Sequence, residues 1–533
     1  MALRDRFRGL SVADSIAVRA EESPGRPFLV FGDRRLTYAD VDGEASSLAA
    51  SLSGMGVEPG DRVALALPNW PELVVAIFAA AKLGAVVVPL NPRFTTHELQ
   101  YMLRHSETTV VVAAEHFGGV DYLARFESFL VTLPDLQYVV SVGEDDLWYD
   151  DRIFQWAELV ARGAGGDLPR PRIDPERDLF AILYTSGTMG KPKGVSLTHR
   201  NLLDTAAATV EAVGIGPEDV VFGLSTLFNV FGLGTGVLGT LVAGASLVLQ
   251  EETDPAAALE IMERERVTVH HGVPTAFVTE LREPGRQGRD LSALRTGLIA
   301  GAPVSEELVE RIQREMVPGI RIGYGLTETG PTVSVTVTSD SPGKQRGTVG
   351  RPLPGTEVRV LDVDGSELPA ESLGEIAVRG PGVMRGYYRQ PGETGQVMTR
   401  DGFFCTGDLG MVDDEGYLHV IGRRKEMIIR GGFNVYPREV EDRLHAHPAV
   451  LEVAVVGLPH EILGEVSCAC IVAAEGAIVT GPEIKQFCSE VMADYKVPDL
   501  VRFLDDFPMT GSGKIRRVEL ARMISAEESS RRT

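Results

Sequence analysis

The chain has 533 residues, more than one hydrophobic core commonly supports, so at least two domains with a sizeable buried interior are expected. Hydrophobic residues make up 44% and charged residues 24%, and the formal net charge of −23 repels nucleic acid and anionic lipid, which excludes both as bulk partners. Any polyanionic ligand must therefore meet a local cluster of positive charge.

The four cysteines, Cys405, Cys468, Cys470 and Cys488, form no CxxC pair and no zinc-ligand spacing, so they read as reduced thiols. The first ten residues lack the apolar run of an export signal. Together these features predict a cytoplasmic enzyme.

In chain order, the pattern predicts a strand over 62–67, an apolar helix over 71–83 stopped by Gly84, and a strand over 86–89. Thr95 and Glu98 form a capping box that opens a short helix leading to a strand over 109–113. This βαβ rhythm continues through the first four hundred residues and predicts a sheet covered by helices. No repeat or low-complexity tract interrupts it.

Residues 178–184 read as a strand that enters Thr185, Ser186, Gly187, Thr188, Met189, Gly190, Lys191, Pro192, Lys193 and Gly194. The loop has the parts of a phosphate cradle: glycines that let backbone N–H groups converge, hydroxyl donors, and two lysines. It does not fit GxxxxGK[ST], because Pro192 follows Lys191, so a P-loop NTPase is disfavoured.

Segment 220–250 carries no charge and is long enough to cross a bilayer. Asn229, the glycines and the shift from apolar to small residues point instead to a buried strand, helix and strand. Gly234, Gly236 and Gly239 match GxGxxG, but no clear strand precedes them, so close helix packing is the preferred reading over a dinucleotide site.

After Gly422 the pattern becomes helix 437–447, strands 450–456 and 467–473, helix 482–493, strand 501–504 and helix 516–524. The expected division is an N-terminal domain over 1–422, a hinge over 423–426, and a smaller mobile α+β domain over 427–533. The polar run Gly422-Arg423-Arg424-Lys425-Glu426 suits either a pivot or an exposed basic linker.

Five motifs occur in one order: the loop over 184–194, Gly323-Tyr324-Gly325-Leu326-Thr327-Glu328-Thr329, Thr406-Gly407-Asp408, the run 422–426, and Pro508-Met509-Thr510-Gly511-Ser512-Gly513-Lys514. In these motifs the chain resembles the adenylate-forming (ANL) superfamily of acyl-CoA synthetases, luciferases and peptide-synthetase adenylation domains, over nearly its whole length. The resemblance implies an α/β fold: a large N-terminal domain of several subdomains and a smaller, mobile C-terminal α+β domain.

It also implies the activity of an ATP-dependent acyl-CoA synthetase that makes acyl-AMP and passes the acyl group to coenzyme A. ATP would be held by Thr185, Ser186, Gly187, Thr188 and Lys193, by Gly301, Ala302 and Pro303 on one side of adenine, and by Gly323, Tyr324 and Gly325 on the other. Asp408 and Arg423 would take the ribose. Thr327 would bond the α-phosphate, Glu328 would offer an oxygen to Mg²⁺, and Lys514 would neutralise charge as pyrophosphate departs. Lys425 falls at the pivot. Arg430, Gly431, Gly432 and Phe433 would meet CoA after the small domain swings.

The acyl pocket would draw on Phe228, Asn229, Val230, Gly232 and Leu326. No lysine or arginine stands in 228–236, 300–302 or 325–331, which disfavours a second carboxylate and favours apolar fatty or aryl acids. Asn229 departs from the histidine that many relatives carry there, and Glu426 replaces a common aspartate. A loader of carrier-protein thiols, a luciferase-like oxygenase and a non-catalytic nucleotide-binding protein share these motifs. No nucleic acid and no membrane span are expected, and association as a homodimer is left open.

Overall fold

The computed structural model describes residues 3–143, 151–168, 170–185, 192–223, 226–431, 433–460, 462–474, 476–490, 492–510 and 514–532. Two large sheets organise the N-terminal part. In one, strands Pro27–Phe31, Ser246–Val248, Val220–Phe222, Val269–His270, Thr296–Ile299 and Gly319–Tyr324 run parallel. In the other, Leu179–Thr185, Val86–Pro89, Arg62–Ala66, Thr108–Ala114, Tyr138–Val142 and Ile153–Gln155 run parallel.

The sequence explains how the two sheets face each other. Helix Pro71–Leu83 is apolar all round, buried everywhere except at Glu72, and packs on strands of both sheets. Its only cation, Lys82, is held by Asp42 at 2.7 Å, and Gly84 ends it in the left-handed conformation at φ 69°. Helix His199–Val213 also touches both sheets. The result is a layered α/β body with helices between sheets.

The charge-free segment is a strand, Val220–Phe222, then a π-helix, Phe231–Leu238, continued by Gly239–Ala243, and a strand, Ser246–Val248. Among the described residues no helix is long and apolar enough to cross a membrane. The GxGxxG run lies inside the helix. A Cβ on Gly234 would stand 2.7 Å from Pro331 Cγ, so this glycine permits close packing, as expected.

The βαβ rhythm does not hold to residue 400. Strands Glu357–Leu361, Gly374–Arg379, Phe404–Val412 and Leu418–Arg423 form an antiparallel sheet. Asp364-Gly365 and Glu415-Gly416, with glycine φ of 82° and 83°, mark turns that an alternating reading passes over. Gly422 and Arg423, read from the sequence as the junction, are the last residues of this sheet and pair with Leu409 and Asp408.

The C-terminal domain begins with two antiparallel strands, Ile428–Arg430 and Phe433–Val435, that the sequence-based expectation does not include, and then follows the expected helix–strand–strand–helix–strand–helix order. Strand Val450–His460 splits its residues between two cores: Val453 and Val455 pack with Val440, Leu444 and Ile484, while Ala454 and Val456 pack with Leu520 and Ile524. All four cysteines are free thiols.

Candidate active site

Two neighbouring parallel strands, Thr296–Ile299 and Gly319–Tyr324, deliver the first group of residues at their carboxyl ends, where open α/β sheets leave a crevice. Gly301 follows the first strand at φ 86°, with Ala302 and Pro303 beside it. At Gly323 a side chain would displace Leu298, and at Gly325 none is tolerated. A Cβ would lie 2.9 Å from Leu298 Cδ1 in the first case and 2.5 Å from the Pro331 carbonyl oxygen in the second. The next turn is pinned by the Leu326 N–H, which donates to Thr329 Oγ1 at 3.0 Å, and it holds Thr327 and Glu328 half-buried.

The antiparallel sheet supplies the opposite wall. Gly407 adopts φ 74°, its N–H donates to Glu375 Oε1 at 3.0 Å, and Arg424 pairs with the same carboxylate at 2.9 Å. Asp408 beyond it is buried. Its Oδ2 accepts the Tyr324 hydroxyl at 2.7 Å, and Arg423 Nε lies 3.1 Å from its Oδ1. Residues 84 positions apart thus form one polar cluster. Burial raises the Asp408 carboxyl above its ordinary value, opposed by Arg423, Tyr324 and Lys514. Each carboxylate oxygen keeps a further lone pair, enough to accept a ribose hydroxyl.

Burial also raises Glu328, whose Oε1 accepts the Tyr387 hydroxyl at 3.0 Å. Among the described residues no group of three or more His, Cys, Asp or Glu could hold a metal alone. A single carboxylate fits Mg²⁺ carried in by a polyphosphate, since Mg²⁺ is commonly bound by one or two carboxylates together with phosphate oxygens and water. Lys193 pairs with Glu393 and stands 4.7 Å from the centre of the Tyr387 ring. Its charge is therefore already shared at the edge of this cluster.

Lys514 comes from the other domain. Its loop closes through the Lys514 N–H to Thr510 Oγ1 at 3.0 Å and the Thr510 N–H to the Lys514 carbonyl at 2.7 Å. Lys514 keeps an exposed surface, yet neighbouring protein and Arg423 depress its ammonium below the ordinary lysine value, against the opposing pull of Asp408 and Glu328. Arg423, Asp408 and Glu328 are thus within electrostatic reach of the ammonium. Ser186, Gly187 and Thr188 of the phosphate loop, and Gly432, lie outside the described residues; Thr185 ends its strand half-buried.

Phe228, Asn229 and Val230 lead into the π-helix, with Val230 buried, and Leu326 is half-buried in the turn before Glu328. The Asn229 amide donates to Thr226 Oγ1 at 2.6 Å and accepts the Gly232 N–H at 2.8 Å, so it acts as a cap. At Gly232 a Cβ would sit 2.2 Å from the Thr226 carbonyl oxygen and 2.6 Å from Leu227 Cα, both backbone. Gly232→Ala is expected to destabilise the chain by about 1–3 kcal/mol. Denaturant unfolding measures this, and an unchanged midpoint would show that the turn yields freely.

The predicted CoA cluster is assembled differently from the expectation. Arg430 is not available to an anion in this conformation, because Asp499 clamps its Nε and Nη2 at 2.7–3.0 Å and also accepts the Ser467 N–H at 3.0 Å. Gly431 turns at φ 56°, and Phe433, exposed, stacks on Tyr495 with ring centres 4.8 Å apart. Lys425 is exposed in the turn after Arg423, where the Glu426 and Met427 N–H groups donate to the Arg423 carbonyl at 3.0 and 3.2 Å.

Sequence reasoning missed Tyr387, Glu393 and Glu375, which hold Glu328, Lys193 and Arg424. None sits in a recognisable motif. Tyr387 reaches the site because strand Gly386–Tyr387 pairs with Lys193–Thr198, a long-range register with no local signal. His270 and His271 also escaped notice, and they line a cavity together with Asn229.

The chain matches the family model for AMP-binding enzymes over residues 16–388 and that for the AMP-binding enzyme C-terminal domain over residues 439–514. It is 38% identical over 505 residues to a feruloyl-CoA synthase of Amycolatopsis sp, covering 95% of this chain and 97% of that protein. It is 34% identical over 525 residues to a long-chain-fatty-acid–CoA ligase of Bacillus subtilis (strain 168), covering 94% and 92%. The fold is similar to the crystal structure of the anthranilate CoA ligase AuaEII in complex with anthranoyl-AMP, with TM-score 0.90, 27% identity and coverage of 99% and 100%.

Proposed function

This chain belongs to the AMP-binding enzymes, and from that premise we propose that it is an AMP-forming acid–thiol ligase, an acyl-CoA synthetase for monocarboxylic acids. The observation that carries this reading is the Tyr324–Asp408–Arg423 cluster of the large domain, with Lys514 of the small domain within electrostatic reach of Asp408, Arg423 and Glu328.

In the first half-reaction a carboxylate oxygen attacks the α-phosphorus of ATP, the bond to the β-phosphate oxygen breaks, and pyrophosphate leaves. The carboxylate is already a nucleophile, so no catalytic base is required. Asp408 and Arg423 hold the ribose, Tyr324 lies along adenine, Thr327 bonds the α-phosphate, and Lys514 offsets charge growing on the departing oxygens. Mg²⁺, when bound, neutralises phosphate charge, and Glu328 is the residue that would hold it. In the second half-reaction the CoA sulfur attacks the acyl carbon and AMP leaves with the electron pair. That attack needs the space Lys514 occupies, so the small domain turns about Lys425. A cytoplasmic location suits ATP and CoA as substrates.

A panel of fatty and aryl acids, scored by pyrophosphate release with and without CoA, tests this reading. The expected result is acid-dependent pyrophosphate release and CoA-dependent thioester; ATP binding with no acid-dependent release would overturn it. Asp408→Asn sharpens the test. An amide offers one acceptor oxygen and turns a donor toward the second hydroxyl, so kcat/KM for ATP should fall roughly ten- to a hundredfold. Discrimination against 2′-deoxy-ATP should narrow with it. Undiminished discrimination would make Asp408 a turn residue.

A further inference from the structure

A cavity lined by Asn229 lies at the carboxyl ends of strands Val220–Phe222 and Val269–His270. His271 lines it and is 1% exposed. Its Nδ1 accepts the Leu298 N–H at 3.1 Å, which fixes the tautomer: the ring proton must reside on Nε2, at the far side of the imidazole from strand Thr296–Ile299. That buried Nε2–H has no hydrogen-bond partner among the described residues. Neighbouring polar groups are engaged elsewhere, Thr226 with Asn229 and Glu280 with His270 Nε2 at 2.8 Å.

A buried donor left without an acceptor is costly. His271 Nε2 is one of several buried polar side-chain atoms with no partner among the described residues, and with His270 Nδ1 it is one of two that belong to residues lining this cavity. The cost disappears if the acceptor arrives with the substrate. Phe222 and Phe231 supply apolar walls to the same cavity, and Asp254 and Glu280 put carboxylates in its lining, while no lysine or arginine lines it. An anionic substituent is therefore repelled, and a neutral oxygen is accommodated.

We propose that His271 is a specificity-determining residue whose Nε2–H donates to an uncharged oxygen of the acyl group, a ketone or ether, so that the preferred acids are oxygenated rather than plain hydrocarbons. This rests on the acid–thiol ligase reading given above. Burial pushes the imidazole down to about 3, so it stays neutral and donates without adding charge. Apolar contact alone separates acids weakly, whereas an unsatisfied buried donor penalises the acid that lacks an acceptor.

The test compares pairs of monocarboxylic acids of equal heavy-atom count, one bearing a ketone or methoxy oxygen where the other bears carbon, by kcat/KM for pyrophosphate release. The wild type should favour the oxygenated member of at least one pair by about tenfold or more. His271→Asn keeps an acceptor for the Leu298 N–H and withdraws the donor from the cavity. It should erase the preference while hydrocarbon acids are still adenylated. His271→Gln, which places an amide N–H near the Nε2 position, should restore much of the preference. Adenylation of both members at equal rates, or a preference unchanged in His271→Asn, would overturn the inference and leave the ligase reading intact. Pyrophosphate release with no acid of the panel would sink both.

Discussion

Lys514→Ala should lower acyl-AMP formation by about 10²–10³ or more while leaving transfer from supplied acyl-AMP to CoA largely intact. The lysine lies within electrostatic reach of Asp408 and Glu328, a region where charge develops as pyrophosphate separates in the reading given above. A pre-organised charge acts on that transition state alone, so the loss should appear in kcat for the first half-reaction. Fluorescence or pyrophosphate assays of each half-reaction separate the two, and equal damage to both would refute the division of labour.

The pH dependence follows from the same cluster. Lys514 must be protonated to act, and its ionisation is depressed, so wild-type adenylation should decline on the alkaline side before an ordinary lysine would titrate. Asp408 and Glu328 must be ionised, and both are raised by burial, so the acid limb should fall at higher pH than ordinary carboxylates give. The residual activity of Lys514→Ala should lack the alkaline limb and keep the acid one.

Lys425→Pro should produce the opposite partition, with CoA thioester formation falling at least about tenfold more than adenylate formation. Lys425 occupies the third position of the turn that begins at Arg423. Proline there fixes its own φ near −65° and pushes Arg424 out of the helical region. Arg424 is anchored on the large domain, through its N–H to the Gly407 carbonyl at 2.9 Å and its guanidinium to Glu375. Among the described residues, further polar ties between the domains include Arg438 to the Val304 carbonyl at 3.2 Å and Arg282 to the Leu451 carbonyl at 3.3 Å. A stiffened turn therefore controls which arrangement is reached. Separate assays of the two half-reactions give the answer, and unaltered overall turnover would remove Lys425 from the pivot.

Local chemistry made much of this protein legible in its sequence. An apolar run bounded by Pro71 and Gly84 can only be a buried helix, and Thr95 with Glu98 satisfies a helix start by itself. The five motifs and their order likewise carried the reaction class, because each is a short string whose glycines, hydroxyls and charges act together. The tertiary structure decided which distant residues meet. Tyr324 and Asp408 join only because a parallel strand ends beside an antiparallel sheet, and Tyr387 reaches Glu328 only through strand pairing. Packing also engaged Arg430 with Asp499, against the expectation of a free cation, and placed His271 in the lining of a cavity with its Nδ1 satisfied and its buried Nε2 without a partner among the described residues. A side chain's type is written in the sequence, but its partner and its exposure to water depend on long-range register and burial, which no local pattern encodes.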